Sequence, residues 1–225
     1  KGEGLKYIAY FQSYTGTYGD LARLERIYTE AASQPNIVGL SIATRPDCLG
    51  SELLAMLRRL SERIPLWVEL GLQTSNEETA RRINRCYPLA AYEKATENLA
   101  ALNIHRITHV IFGLPGESRK DMLQTIRYVA ERTDGIKLQL LHVLEGTALA
   151  GSYHRGEFRT LKPEEYYELV ADALELLPEN VIIHRLTGDG AKRDLIAPLW
   201  SADKKRVLAD LNRVLRSRNI RPAEC

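Results

Sequence analysis

Cysteine is scarce. Cys48, Cys86 and Cys225 are odd in number and far apart, so they do not make a disulfide framework. None of their spacings suits a zinc or iron–sulfur site by itself. They read as free thiols of a cytosolic protein. An excess of one charge is also missing: 31 Lys and Arg face 29 Asp and Glu, a formal net charge of +2. That excludes a histone-like arm and an acidic solvating tail, and leaves room only for a locally basic face. No apolar run approaches the roughly 20 residues a membrane span needs, and no signal peptide is recognised at the start. There is no G-x-G-x-x-G after the first strand-like run, no P-loop, no nucleophile elbow, no Ser-His-Asp order and no H-E-x-x-H.

What is there is a chain of 225 residues, 44% of them hydrophobic. It is long enough to bury a full core, and no linker cuts it, so one domain is expected. Collagen, low complexity and wholesale disorder are excluded by composition.

Strand-like and helix-like runs alternate. Residues 6–12, 37–42, 66–72, 104–112, 136–144 and 181–186 are apolar and rich in β-branched or aromatic residues, the pattern of buried strands. Between them, apolar residues recur at helical spacing, as in Leu21, Leu24, Ile27, Tyr28 and Ala31. Ser51, Asn76 and Ser118 are placed to cap helices, and Pro163 suits a first helical turn. Residues 151–160 are polar and contain glycine, and are expected to form a loop. Residues 203–218 close the chain as an amphipathic helix. Strict β-α alternation predicts a parallel sheet with right-handed crossovers. A doubly wound sheet and a whole or partial (β/α) barrel both satisfy it.

In both architectures ligands sit beyond the carboxyl ends of the strands. There the sequence places polar or glycine-rich segments: 12–15, 44–47, 69–73, 113–117 and 142–147. Glu69 is the sharpest residue, a carboxylate inside an apolar strand that must be paired or neutralised. Arg45 and Lys137 are its candidate ion-pair partners. His109 and Gln139 are polar insertions of the same kind. Residues alternate faces along a strand, so Glu69, Gly71 and Gln73 share one face, as do His109, Ile111 and Gly113. Glu69, His109 and either Lys137 or Gln139 are therefore expected to line one polar cavity. Thr187-Gly188-Asp189-Gly190 is an ordinary turn or a backbone anion site. The last helix carries Lys204, Lys205, Arg206, Arg213, Arg216 and Arg218, with Arg221 beyond: a solvated face or a nucleic-acid contact.

Several strings taken together resemble the radical S-adenosylmethionine (SAM) superfamily, and most of all its YhcC-like subgroup, related to elongator-type and coproporphyrinogen-oxidase-type enzymes. They are YIAYFQSYTGTYG (7–19), SIATRPD (41–47), VELGLQTSNEETARRINR (68–85), HVIFGLPGES (109–118), IKLQLLHVLEGTALA (136–150) and IIHRLTGDG (182–190). The resemblance implies a partial (β/α) barrel, with a body over 1–150 and an extension over 151–225. It implies a 4Fe–4S cluster and SAM as cofactors, an electron donor such as a flavodoxin or ferredoxin, a cytoplasmic location, and RNA as one class of substrate. The three-cysteine motif is not in the sequence; the chain begins where the family's second strand begins. The first strand and cluster loop are thus expected to be missing, and the chain alone to be inactive. A cluster-free remnant that binds a ligand or partner is the alternative. An aldolase-like barrel is a third possibility, needing a lysine or metal cluster at the strand ends.

The resemblance also assigns residues to the SAM site. Gln73 and Arg85 match positions that bind its ribose and its carboxylate. Gln12 to Thr17, with Gln12 and Thr15 foremost, stand where the superfamily grips its amino group. Glu69 joins the same site. His109 stands where relatives carry an aspartate toward the ribose. Ile111 and Gly113 would meet the adenine through their backbone. Ala43 replaces a glutamate of some relatives, and Cys86-Tyr87 replaces Gly-His. No catalytic residue is named, and no metal ligand.

Overall fold

The computed structural model describes residues 4–188, 190 and 192–220. Eight strands and eight α-helices follow in chain order: β1 (Tyr7–Phe11), α1 (Leu21–Ala32), β2 (Ile37–Thr44), α2 (Ser51–Ser61), β3 (Leu66–Gln73), α3 (Glu77–Arg82), α4 (Leu89–Ala101), β4 (His105–Phe112), α5 (Arg119–Ala130), β5 (Gly135–Leu140), β6 (Val143–Leu144), α6 (Ala148–His154), α7 (Pro163–Leu176), β7 (Ile182–Arg185), β8 (Leu195–Ala197) and α8 (Lys204–Ser217). Short 3-10 turns cover Pro46–Cys48 and Leu199–Ala202.

Six strands form one sheet in the order β1-β2-β3-β4-β5-β7. The pairings of β1 with β2 and of β2 with β3 are parallel, placing Tyr10 opposite Ser41 and Ala43 opposite Glu69. This is the α/β architecture with a parallel sheet that the alternating pattern predicts.

The helices begin where the side chains supply the missing acceptors. Asp20 accepts from Arg23 N at 2.8 Å. Asn76 accepts from the amides of Glu78 and Thr79. Ser118 and Asp121 form a reciprocal capping box on α5. Pro163 opens α7. Ser51 is a correction: it is the first helical residue, and the cap position belongs to Gly50, with no side-chain bond.

The chain divides into two compact units. The first comprises residues up to Leu72 with Tyr87–His109 and Arg132–Ile136. Its core includes Leu40, Ile42, Leu57, Val68, Leu70 and Leu99, all buried. The second comprises Gln73–Cys86, Val110–Glu131 and the residues from Lys137 onward. Phe112, Ile126, Leu138, Val170 and Leu211 are buried in it. Each such side chain contributes roughly 1.5–3 kcal/mol when fully buried.

Three expectations fail in the second unit. The run 136–144 is not one strand: β5 ends at Leu140, and β6 pairs antiparallel with β8 instead. β8 was not anticipated at all. The stretch after Gly146 is not a loop from 151 onward, because α6 runs to His154. The cause is a satellite core. Val143, Ala150 and Ala197 are buried together, with Leu149, Tyr153 and Phe158 packed on them. That packing outweighs the helix penalty of Gly151, and Thr147 caps the helix by accepting from Ala150 N at 3.2 Å.

Candidate functional site

Glu69 lies on β3 in the first unit and is only 3% exposed. Three donors meet its carboxylate. Ser41 donates its hydroxyl to Oε1 at 2.6 Å. Tyr10 donates its phenol to Oε2 at 2.9 Å. His109 places Nε2 2.7 Å from the same oxygen. The pleat explains the convergence: Glu69 and His109 stand on one face of adjacent strands, and the register brings Tyr10 and Ser41 alongside. Buried polar groups need such partners, and the bond to Glu69 holds the His109 imidazole in place.

The sequence brought Glu69 and His109 together correctly by parity. It missed Tyr10 and Ser41. A signal existed for Ser41, a hydroxyl inside the apolar run of β2. Tyr10 was hidden because β-rich aromatics pass for packing. The expected pairing of Glu69 with Arg45 is corrected: Arg45 turns instead to Asp47, with Nε 3.0 Å and Nη2 2.7 Å from its carboxylate. The short turn at Pro46 makes that pair local, because Asp47 lies only two residues from Arg45. Gln139 and Lys137 lie on β5 in the second unit.

The loop after β1 is fastened to the end of β2. Gly16 N donates to Ala43 O at 2.9 Å. The Thr17 hydroxyl lies 2.5 Å from that of Thr44 and donates to Cys48 O at 2.7 Å. A Cβ on Gly16 would lie 2.8 Å from Ala43 O, so the loop needs glycine there for close approach. Gln12 is exposed and Thr15 half-buried on this loop.

In the second unit, Gln73 ends β3 with φ of +65°, a left-handed turn. Arg85 is buried, with a side chain 1% exposed. Its Nη1 donates to Thr74 O at 2.7 Å, and Nη2 lies 3.2 Å from Glu77 Oε2. The guanidinium thus holds the carbonyl next to Gln73. Thr74 also donates its hydroxyl to Glu117. Burial pushes the Glu117 carboxyl above its ordinary value, against the lowering by the Thr74 and Thr79 hydroxyls. Ile111 stands near the end of β4, and Gly113 follows it with φ of +87° and its N–H on Met122 Sδ at 3.1 Å.

Asp189 lies outside the described residues. Around it, the sites where Cβ atoms would sit on Gly188 and Gly190 lie 3.8 and 3.1 Å from the His142 ring. Three of the basic residues around α8 have acidic partners. Arg206 and Arg213 pair with Asp210, and Arg218 pairs with Glu168, Asp172 and Glu175. Arg221 lies outside the described residues. Cys48 and Cys86 are free, and among the described residues no three His, Cys, Asp or Glu gather as a metal site. The described residues therefore do not fit a 4Fe–4S cluster.

Comparison with known proteins completes the picture. The Radical SAM superfamily pattern matches residues 1–129, and the Radical_SAM C-terminal domain matches residues 133–217. Uncharacterized protein YtqA of Bacillus subtilis is 42% identical over 214 residues, covering 95% of this chain and 66% of that protein. Protein YhcC of Escherichia coli is 36% identical over 217 residues, covering 96% and 70%. The solved structure of Elp3 from the archaeon Methanocaldococcus infernus superposes with a TM-score of 0.82 at 20% identity, over 96% of this chain and 55% of that one. That likeness shows the fold, a partial (β/α) barrel.

Proposed function

The chain belongs to the radical SAM superfamily, and from that premise we propose that it is the body of an enzyme that binds SAM at the carboxyl ends of its strands. The observation that carries this reading is the buried Glu69 with its three donors. Such a carboxylate is costly to bury unless it organises its partners, and the partners it organises are ones that hydrogen-bond a ribose. The chemistry the cofactors supply when bound is hydrogen abstraction by a 5′-deoxyadenosyl radical. The 4Fe–4S ligands would come from outside the described residues, and a low-potential electron donor is implied with them.

The roles of the chain's own residues follow. Glu69 orients His109, which hydrogen-bonds the ribose. The loop carrying Gln12 and Thr15 borders the amino group. Ile111 and Gly113 border the adenine through their backbone. Arg85 has its donors engaged by Thr74 and Glu77, so we assign it to holding the Gln73 turn in its left-handed form rather than to the SAM carboxylate. For an RNA substrate, α8 is limited support, since Arg206 and Arg213 already face Asp210. No helix among the described residues is long and apolar enough to cross a membrane.

Calorimetry with SAM tests the reading. Saturable binding by the parent chain is expected, with His109→Ala and Glu69→Gln both weaker. Binding that is absent in the parent, or unaltered in both variants, would remove this cluster from the site.

A further inference from the structure

Arg45 follows β2 directly, at the end of the sheet where strands present ligands. Its guanidinium has two edges capable of a fork. The side-on edge is taken, with Nε and Nη2 on the two oxygens of Asp47. One face is covered, with the Arg45 Cζ 5.3 Å from the centroid of the Tyr87 ring. Tyr87 is itself anchored, donating its phenol to Gly71 O on β3. The remaining edge, Nη1 with the second hydrogen of Nη2, has no partner among the described residues. The side chain is 42% exposed.

We propose that Arg45 receives an oxyanion of the substrate, a phosphate or carboxylate, on this open edge. The proposal rests on the reading that the carboxyl ends of the strands hold the ligand. A planar fork held by a carboxylate and an aromatic face has lost its rotational freedom before the ligand arrives, so little is lost on binding. Asp47 cancels the charge of Arg45 at long range, so recognition depends on the bidentate geometry rather than on steering.

Other arginines of this unit set the contrast. Arg59 meets Glu25 through one nitrogen. Arg106 makes the same side-on fork, to Asp134 at 2.8 and 2.7 Å. It stands at the amino end of β4, away from ligand-bearing strand ends, and its side chain is less than half as exposed. Asp134 also accepts from Arg106 N. Arg106 therefore closes the fold, whereas Arg45 faces the mouth of the sheet.

The test reads the side chain itself. Arginine Nε–H resonances of the 15N-labelled chain are followed during titration with inorganic phosphate, and separately with acetate, at constant ionic strength. The Arg45 signal is assigned by its loss in Arg45→Lys. A saturable shift of Arg45 is expected, with Arg106 unmoved. The tighter of the two anions names the substrate's group, and saturation by either supports the site. In Arg45→Lys, which keeps the charge but loses the fork, the backbone amides of Asp47 and Cys48 should need about fivefold more anion for the same shift. Shifts that grow linearly with both salts, or equal responses from Arg45 and Arg106, would overturn the proposal. Equal amide responses in Arg45→Lys would overturn the fork. None of these readouts requires SAM, so failure of the SAM site leaves a separate signature.

Discussion

Arg45, in the turn after β2, and Arg85, which bonds Thr74 O just past β3, each stand close to a strand's carboxyl end. Arg45 keeps an edge open and is 42% exposed, while Arg85 is 1% exposed with Thr74 O and Glu77 on its nitrogens. The same residue type keeps an edge open in one place and is a buried strut in the other. What separates them is the acceptor each finds first. Asp47 lies two residues away and takes only one edge. Arg85 finds the buried main-chain carbonyl of Thr74, and a buried carbonyl must be satisfied. Motif matching assigns Arg85 to a ligand, whereas geometry assigns it to the Gln73 turn.

The largest effect should come from the strut. Arg85→Ala leaves the buried Thr74 carbonyl without its donor and opens a cavity, and should cost about 3 kcal/mol in urea unfolding. Arg45→Ala in the same assay should cost far less. Equal costs would erase the distinction between the two arginines.

Glu69 obeys the strut's rule in the first unit, because Tyr10, Ser41 and His109 all bring hydrogen bonds to it. Glu69→Gln puts an amide among three donors and weakens charge-assisted bonds. A loss of about 2 kcal/mol is expected. The indirect readout is sharper: 15N spectra of the parent should show His109 with its proton on Nε2, and the variant should show a mixture of tautomers. An unaltered tautomer would mean that Glu69 does not orient the imidazole.

Most of the fold was legible because packing and pattern agree there. The six sheet strands lie where apolar runs lie, and Asn76, Ser118 and Pro163 act as their chemistry dictates. Legibility ended where stability is long-range. β8 has three residues, too few for a periodic signal, and exists because β6 pairs with it. α6 contains Gly151 and a satellite core that only folding assembles. At the site, strand parity sufficed to join Glu69 and His109. It did not reveal Tyr10, which depends on register, nor the engagement of Arg85, which depends on a carbonyl that sequence does not display.

Glu117 offers a pH-dependent test in the second unit. Burial raises its carboxyl above the ordinary value of 4.5, so its protonated form is favoured in the fold. Its stabilising contribution is full below the unfolded value and is lost as pH rises through the folded one. Glu117→Gln cannot ionise. It should match the parent near about pH 4 and exceed it by up to about 1 kcal/mol near about pH 7, the exposed part of the group screening the rest. A variant that is instead less stable at the higher pH would show that the Thr74 and Thr79 bonds outweigh burial.

The smallest effect is Arg45→Ala on stability. Its bond to Asp47 spans two residues on the surface, where pairs of this kind contribute little. The Tyr87 ring stays anchored to Gly71 without it. A loss below about 0.5 kcal/mol is expected in urea unfolding. The Asp47 carboxyl, now held below the usual carboxylate range first of all by its hydrogen bonds to Arg45, should titrate upward in the variant, as 13C chemical shifts would record. The contrast between the two arginines is then complete in one respect that stability alone does not supply. Removing Arg45 should release Asp47 and leave the fold intact, whereas removing Arg85 should damage the fold. A cost for Arg45→Ala approaching that of Arg85→Ala would make Arg45 a second strut, and its open edge an accident of the turn.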